Sequence, residues 1–204
     1  MKKEKWLEKQ ERTKMDKDKN KPKLIVLNGC PGVGKSTLSK KYVDNHPMAL
    51  NLDIDTIWFM MGQWQESRPR SHEQKMRLAY VLANEHLRCG YDVVIAQHIE
   101  KTSYLETFSN IAKKQHAYFV EIYLKNSADE AVKRFIERGK ASGYRNGFRP
   151  GGIVDIEGRE SKILQMHSQV ERVSRSRANT HVIEVEHGKI EETYQAIMSR
   201  VTRE

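Results

Sequence analysis

Apolar residues along this chain of 204 residues follow two rhythms. Short apolar runs at Leu24–Leu27, Ala49–Ile54, Asp92–Ala96, Ala117–Leu124 and His181–Val185 read as strands. Between them, apolar positions recur three and four apart, the spacing of one face of a helix. Leu38–Asn45 predicts a helix that Pro47 closes. Ser71 with Gln74 forms a possible capping box before the stripe Met76, Ala79, Ala83 and Leu87, and Gly90 stands where a C-terminal glycine belongs. Ser103 with Glu106 opens a further helix over Leu105, Phe108, Ile111 and Ala112. Ser127 with Glu130 opens another over Ala131, Val132, Phe135 and Ile136. Ile190, Tyr194, Ile197 and Val201 form the last stripe. Strand alternating with helix predicts a three-layer α/β fold around a parallel sheet. Gly139–Gly152 breaks the pattern, being too rich in glycine for a helix and too polar for a strand, and is expected to be a mobile loop.

Charge divides the chain. Residues 1–23 hold nine Lys, one Arg and five acidic side chains, a net +5 of the chain's +9. Residues 1–22 are expected to be a basic, disordered extension, with Trp6 the one side chain there able to stack on a base if the segment met a polyanion. Residues 23–204 are expected to be the folded domain. Cys30 and Cys89 lack the spacing of a zinc or redox pair, which suits a reduced, cytoplasmic setting. No apolar run approaches the ~18 residues of a membrane span, so no membrane partner is expected.

The strongest chemical signal is Gly29-Cys30-Pro31-Gly32-Val33-Gly34-Lys35-Ser36-Thr37, which fits G-x-x-x-x-G-K-[ST]. It stands between a strand and a helix, the setting the motif needs. Backbone N–H groups of such a turn point at phosphate oxygens, and the helix N-terminus adds partial positive charge. Lys35 would reach the β- and γ-phosphates of ATP, and the Ser36 hydroxyl would bind Mg²⁺.

Ligands of an open parallel sheet sit beyond the carboxyl ends of its strands. The second strand ends at Asp53 and Asp55, expected on one side of an extended chain, with Asp55 the better placed to take a proton from an acceptor hydroxyl. The bland alternative for either is a helix N-cap. The third strand ends at Gln97 and His98, which either contact the acceptor or form a surface turn, and His98 has the chemistry of a proton shuttle. Arg134 and Arg138, four apart on a helix, join Arg145 and Arg149 as a cluster that could close over phosphates.

Taken together, the P-loop, Asp55 and the Arg134/Arg138 pair before a glycine-rich segment resemble the small P-loop kinases of the polynucleotide kinase, zeta-toxin and chloramphenicol phosphotransferase type. The resemblance implies a P-loop NTPase fold with a five-stranded parallel sheet in order 2-3-1-4-5 and a lid near residues 139–152. It implies Lys35 and Ser36 on phosphate and Mg²⁺, Asp55 as general base, and Arg138 as the lid arginine on the donor phosphates. Polynucleotide kinase has an Arg three residues after its base, where this chain has Trp58, and an acidic residue at Gln97. Trp58 and its neighbours Phe59, Met60, Met61 and Trp64 suggest instead an apolar or ring-stacking wall beside Asp55, or packing beneath the helix. The expected function is therefore transfer of the ATP γ-phosphoryl group to a small-molecule hydroxyl. A polynucleotide 5′-hydroxyl kinase, a zeta-type toxin kinase and a regulatory ATPase are the alternatives.

Overall fold

The structure is a computed structural model, which describes residues 21–142 and 158–202. In chain order its elements are β1 (Lys23–Gly29), α1 (Lys35–Asn45), β2 (Leu50–Asn51), α2 (Ile54–Phe59), α3 (Arg68–Arg88), β3 (Val93–Gln97), α4 (Thr102–Lys114), β4 (Tyr118–Lys125), α5 (Ala128–Ser142), α6 (Arg159–Arg175), β5 (His181–Glu184) and α7 (Ile190–Val201). The five strands lie in the order β2-β3-β1-β4-β5, every pairing parallel, as expected.

β1 is the centre of the sheet, and its run Leu24–Leu27 is apolar without a break because both its faces are covered. Leu24 and Val26 face one layer, where α3 and α4 bring Met76, Ala79, Ala83, Leu105, Phe108 and Ala112. Ile25 and Leu27 face the other, where α1 and α7 bring Leu38, Tyr42, Tyr194, Ile197 and Val201. The predicted helical stripes are thus core, except that Ile190, at the start of the last one, is exposed. A smaller cluster of Cys30, Ala131, Phe135 and Ile163 seats α5 and α6 beneath the P-loop. No described helix is long and apolar enough to cross a membrane.

Several local expectations are corrected. The second strand was expected over Ala49–Ile54 but holds only Leu50–Asn51, because Asp53 starts a helix. α3 begins at Arg68, not near Ser71, since Pro69 presets the backbone of its first turn. α4 begins at Thr102 after Lys101, with no side-chain cap from Ser103. Ser127 does cap α5, its Oγ accepting from the Glu130 N–H at 3.2 Å. α5 runs on through Gly139 to Ser142, so the first residues of the expected loop are helical. The rest of that segment, like residues 1–20 of the expected extension, lies outside the described residues.

Candidate functional site

The P-loop leaves the central strand at Gly29. A Cβ there would stand 2.7 Å from the Leu124 carbonyl oxygen, so β1 and β4 approach this closely only around glycine. Gly32 has φ 87°, and a Cβ on it would meet Arg134 Cβ at 3.3 Å, which places α5 directly beside the loop. α1 then starts at Lys35 with no acidic residue in its first turn. Its unbonded N–H groups and dipole favour an anion. Lys35 Nζ donates to the carbonyls of Gly29 at 2.7 Å and Cys30 at 2.9 Å.

Pro31 and Val33 are buried, so they serve the loop through their backbone. The Cys30 thiol points inward, 3.8 Å from the Ile163 carbonyl that it faces. Burial pushes that thiol up to about 11, against a smaller pull downward from Lys35. Ser36 and Thr37 are exposed at the helix start, where the Ser36 hydroxyl can be reached by a metal. This cradle fits a nucleoside triphosphate and a phosphate-bound Mg²⁺.

A buried amide ties the loop to the acceptor side. Asn28, the last residue before Gly29, pairs in register with Gln97 across β1 and β3. Its Nδ2 donates to the Ile99 carbonyl at 3.1 Å, and its Oδ1 accepts the N–H groups of Ile99 and Gly29, each at 2.9 Å. The P-loop entrance and the turn after β3 are held as one piece.

The two carboxylates separate. Asp53 caps α2, accepting from the N–H groups of Asp55 at 3.0 Å and Thr56 at 3.3 Å and from Thr56 Oγ1 at 2.9 Å. The bland alternative thus holds for Asp53. Asp55, in the first turn of α2, points elsewhere. Its Oδ1 accepts from Lys75 Nζ at 2.7 Å and its Oδ2 from Gln97 Nε2 at 3.1 Å. The expected same-side geometry fails because the chain is already helical here.

Trp58 is packed, not open. Its ring face lies 3.7 Å from the Lys75 ammonium, its Nε1 donates to Ser71 Oγ at 2.7 Å, and Trp64 tilts against it at 4.8 Å. Phe59 and Met60 are the exposed apolar residues of this wall.

His98 Nε2 donates to the Met166 carbonyl at 3.1 Å, because a carbonyl can only accept, and Nδ1 is left as the acceptor. Burial pushes its pKa down to about 4, so the ring is neutral near pH 7. Arg134 lies beside Gly32 with Nε donating to Glu130 at 2.8 Å, an arginine next to the phosphate cradle and already oriented by a carboxylate. Arg138 lies on α5, with its side chain outside the described residues, as are Arg145 and Arg149 entirely.

Lys75 was not among the sequence candidates, although the signal was there. It sits four residues before Ala79, on the stripe that α3 buries, and a lysine on such a stripe needs a partner. Asn28 gave less warning, since one asparagine at a strand end reads as a turn residue.

Comparison with known proteins gives the family and the fold. A model of the AAA domain family matches residues 24–172. The chain is similar to the L-seryl-tRNA(Sec) kinase of Methanococcus maripaludis strain S2, with 34% identity over 126 residues, covering 57% of this chain and 46% of that protein. The chain therefore spans about half the length of that curated relative. Its fold is similar to that of a gluconokinase from Sinorhizobium meliloti 1021, at TM-score 0.58 and 18% identity, covering 91% of this chain and 94% of the other. It is equally similar to Mycobacterium tuberculosis APS kinase in complex with AMPPNP and APS, at TM-score 0.58 and 15% identity, covering 89% and 98%. With its parallel 2-3-1-4-5 sheet and glycine-rich phosphate loop, the chain belongs to the AAA domain family and has the fold of the small P-loop kinases.

Proposed function

We propose that this protein is an ATP-dependent phosphotransferase that moves the γ-phosphoryl group to an acceptor hydroxyl, with Asp55 as general base. The observation that carries the reading is the continuous link from Gly29 through Asn28 and Gln97 to Asp55. It supports the reading because it ties the half-exposed carboxylate on α2 to the adjoining ends of β1 and β3, from which the P-loop leaves.

Lys35 and the P-loop N–H groups bind the β- and γ-phosphates, and the Ser36 hydroxyl would hold Mg²⁺, which would neutralise charge on the phosphate oxygens. Asp55 accepts the acceptor's O–H proton as that oxygen bonds to the γ-phosphorus. The bond from that phosphorus to the β,γ-bridging oxygen breaks, and ADP leaves with the electron pair. Arg134, and Arg138 farther along α5, supply cationic stabilisation of the transferring group.

A small-molecule acceptor is the first reading, because the Trp58 position lacks the nucleic-acid-binding Arg of polynucleotide kinase and carries packing instead. A hydroxyl on an RNA is the second, favoured by the likeness to a kinase named for seryl-tRNA.

The test is transfer from γ-labelled ATP to a panel holding gluconate, nucleosides, a 5′-hydroxyl oligoribonucleotide and serine-charged tRNA. Labelled acceptor that vanishes in Lys35→Ala supports the assignment. Undiminished transfer by Lys35→Ala, or label on no acceptor of the panel, overturns it. Label on RNA whose yield falls steeply with salt selects the second reading.

A further inference from the structure

Lys75 is an anomaly in burial. Its side chain is 4% exposed, whereas its partner Asp55 is 49% exposed. In an ordinary surface pair both ends are mobile and screened. Here the cation is sunk into the wall and the anion faces the open side. The ammonium lies between two groups, Asp55 Oδ1 at 2.7 Å and the Trp58 ring face at 3.7 Å. The indole is itself fixed, since Ser71 Oγ accepts from its Nε1 at 2.7 Å and donates to the Trp64 carbonyl at 2.8 Å. A desolvated ammonium over an indole is a strong cation–π contact.

The geometry points to Lys75 as a positioning residue for phosphoryl transfer, one that fixes Asp55 against the Trp58 face and does not itself touch the acceptor. The inference rests on the assignment of Asp55 as base. α2 is six residues long, too short to hold a side chain firmly by its own stability. The carboxylate is instead located by two donors from other elements, Lys75 on α3 and Gln97 on β3. Each oxygen keeps a lone pair for the acceptor proton. A base must stay within hydrogen-bond reach of that proton, and small displacements are costly in rate. Lys75 loses little freedom in this role, because its stem is already packed beside Met76 and Ala79 on the buried stripe. Its charge also needs the carboxylate, since a buried ammonium without a counter-ion is strongly unfavourable.

The test uses the full chain, with ATP as donor and water in the acceptor's place, so that no acceptor need be known. Phosphate release gives turnover, and titration with a fluorescent ATP analogue gives nucleotide affinity. Lys75→Met should lower turnover roughly 10- to 100-fold with analogue affinity unchanged, and Lys75→Arg should recover part of the loss. Trp58→Leu, which removes the ring but leaves the ion pair, should lower turnover by about three- to tenfold. In an Asp55→Asn background, Lys75→Met should cost nothing further, because both act through one group. Wild-type turnover in Lys75→Met, or losses that multiply independently with those of Asp55→Asn, would overturn the inference. Wild-type turnover in Asp55→Asn would instead remove the base assignment, and Lys75 with it. Should Lys75→Met fail to fold, Lys75→Arg and Trp58→Leu decide: undiminished turnover in both overturns the role.

Discussion

Asn28 and Ile99 are joined in both directions, the amide nitrogen of Asn28 donating to the Ile99 carbonyl at 3.1 Å and its oxygen accepting the Ile99 N–H at 2.9 Å. The same oxygen takes the Gly29 N–H, so one buried side chain satisfies three backbone groups at the junction of two strand ends. Asn28→Ala strands all three. Each buried unsatisfied group costs about 1–3 kcal/mol, so the variant should lose about 3 kcal/mol or more. That corresponds to a fall of about 6–12 °C in melting temperature for a domain of this size. Differential scanning calorimetry checks it. A shift within about 2 °C, the size of a neutral surface change, would mean that water replaces the amide.

Removing the Asp55 carboxylate does two things at once. It deletes the proposed base, and it leaves the Lys75 ammonium against an indole with its anion gone. Asp55→Asn should be destabilised by about 1–2 kcal/mol, less than for a fully buried pair because Asp55 is half open to water. Adding Lys75→Met should restore most of that stability while leaving turnover low. Urea midpoints of the single and double variants give the comparison, and equal midpoints for Asp55→Asn and the wild type would contradict it.

His98 should make the fold sensitive to acid. Its folded pKa of about 4, set by burial, lies below the ordinary value of 6.5. The unfolded chain therefore binds the proton first. Stability from this residue is complete above pH 6.5 and is lost as pH falls from there toward 4, at up to about 1.4 kcal/mol per pH unit. His98→Gln keeps a donor toward Met166 and does not titrate. Its unfolding free energy should fall less steeply between pH 6.5 and 4.5, and identical slopes would discard the account.

The two thiols should react in a fixed order. Cys30 is 2% exposed, with its thiol pushed up to about 11, whereas Cys89 is half-buried at the end of α3. Iodoacetamide at pH 8 should label Cys89 well before Cys30, because the thiolate is the nucleophile and needs access. Peptide mass spectrometry reads the order directly. Labelling of Cys30 first would show that the P-loop opens far more readily than its packing against Ala131, Phe135 and Ile163 implies.

The fold was legible in the sequence because its signals are local and periodic. The unbroken apolar run of β1, the loop Gly29–Thr37 and the stripes of α3 and α5 each declare themselves within about 20 residues. The site was legible only where chemistry coincides with a motif, as at Lys35 and Ser36. Asp53 and Asp55 look alike in sequence, and what separates them is the onset of α2, which turns one into a cap and the other toward β3. Trp58 read as either an acceptor wall or packing, and nothing local decides between them, because Lys75, seventeen positions later, occupies its face. Gln97 read as an acceptor contact or a surface turn, whereas its amide donates to Asp55. Contacts of this kind join residues from different elements, and periodicity does not encode them.

Lys35 Nζ donates to the carbonyls of Gly29 and Cys30, so under the proposed function nucleotide binding would be an exchange of partners. The loop supplies its own stand-in for phosphate, with two carbonyl oxygens where phosphate oxygens would draw the ammonium. A ligand must offer Lys35 more than those carbonyls do before the side chain swings over. A monoanion would gain little from that trade, and a polyphosphate would gain much. Under the proposed function the cradle would thereby select its ligands by charge before an acceptor is engaged.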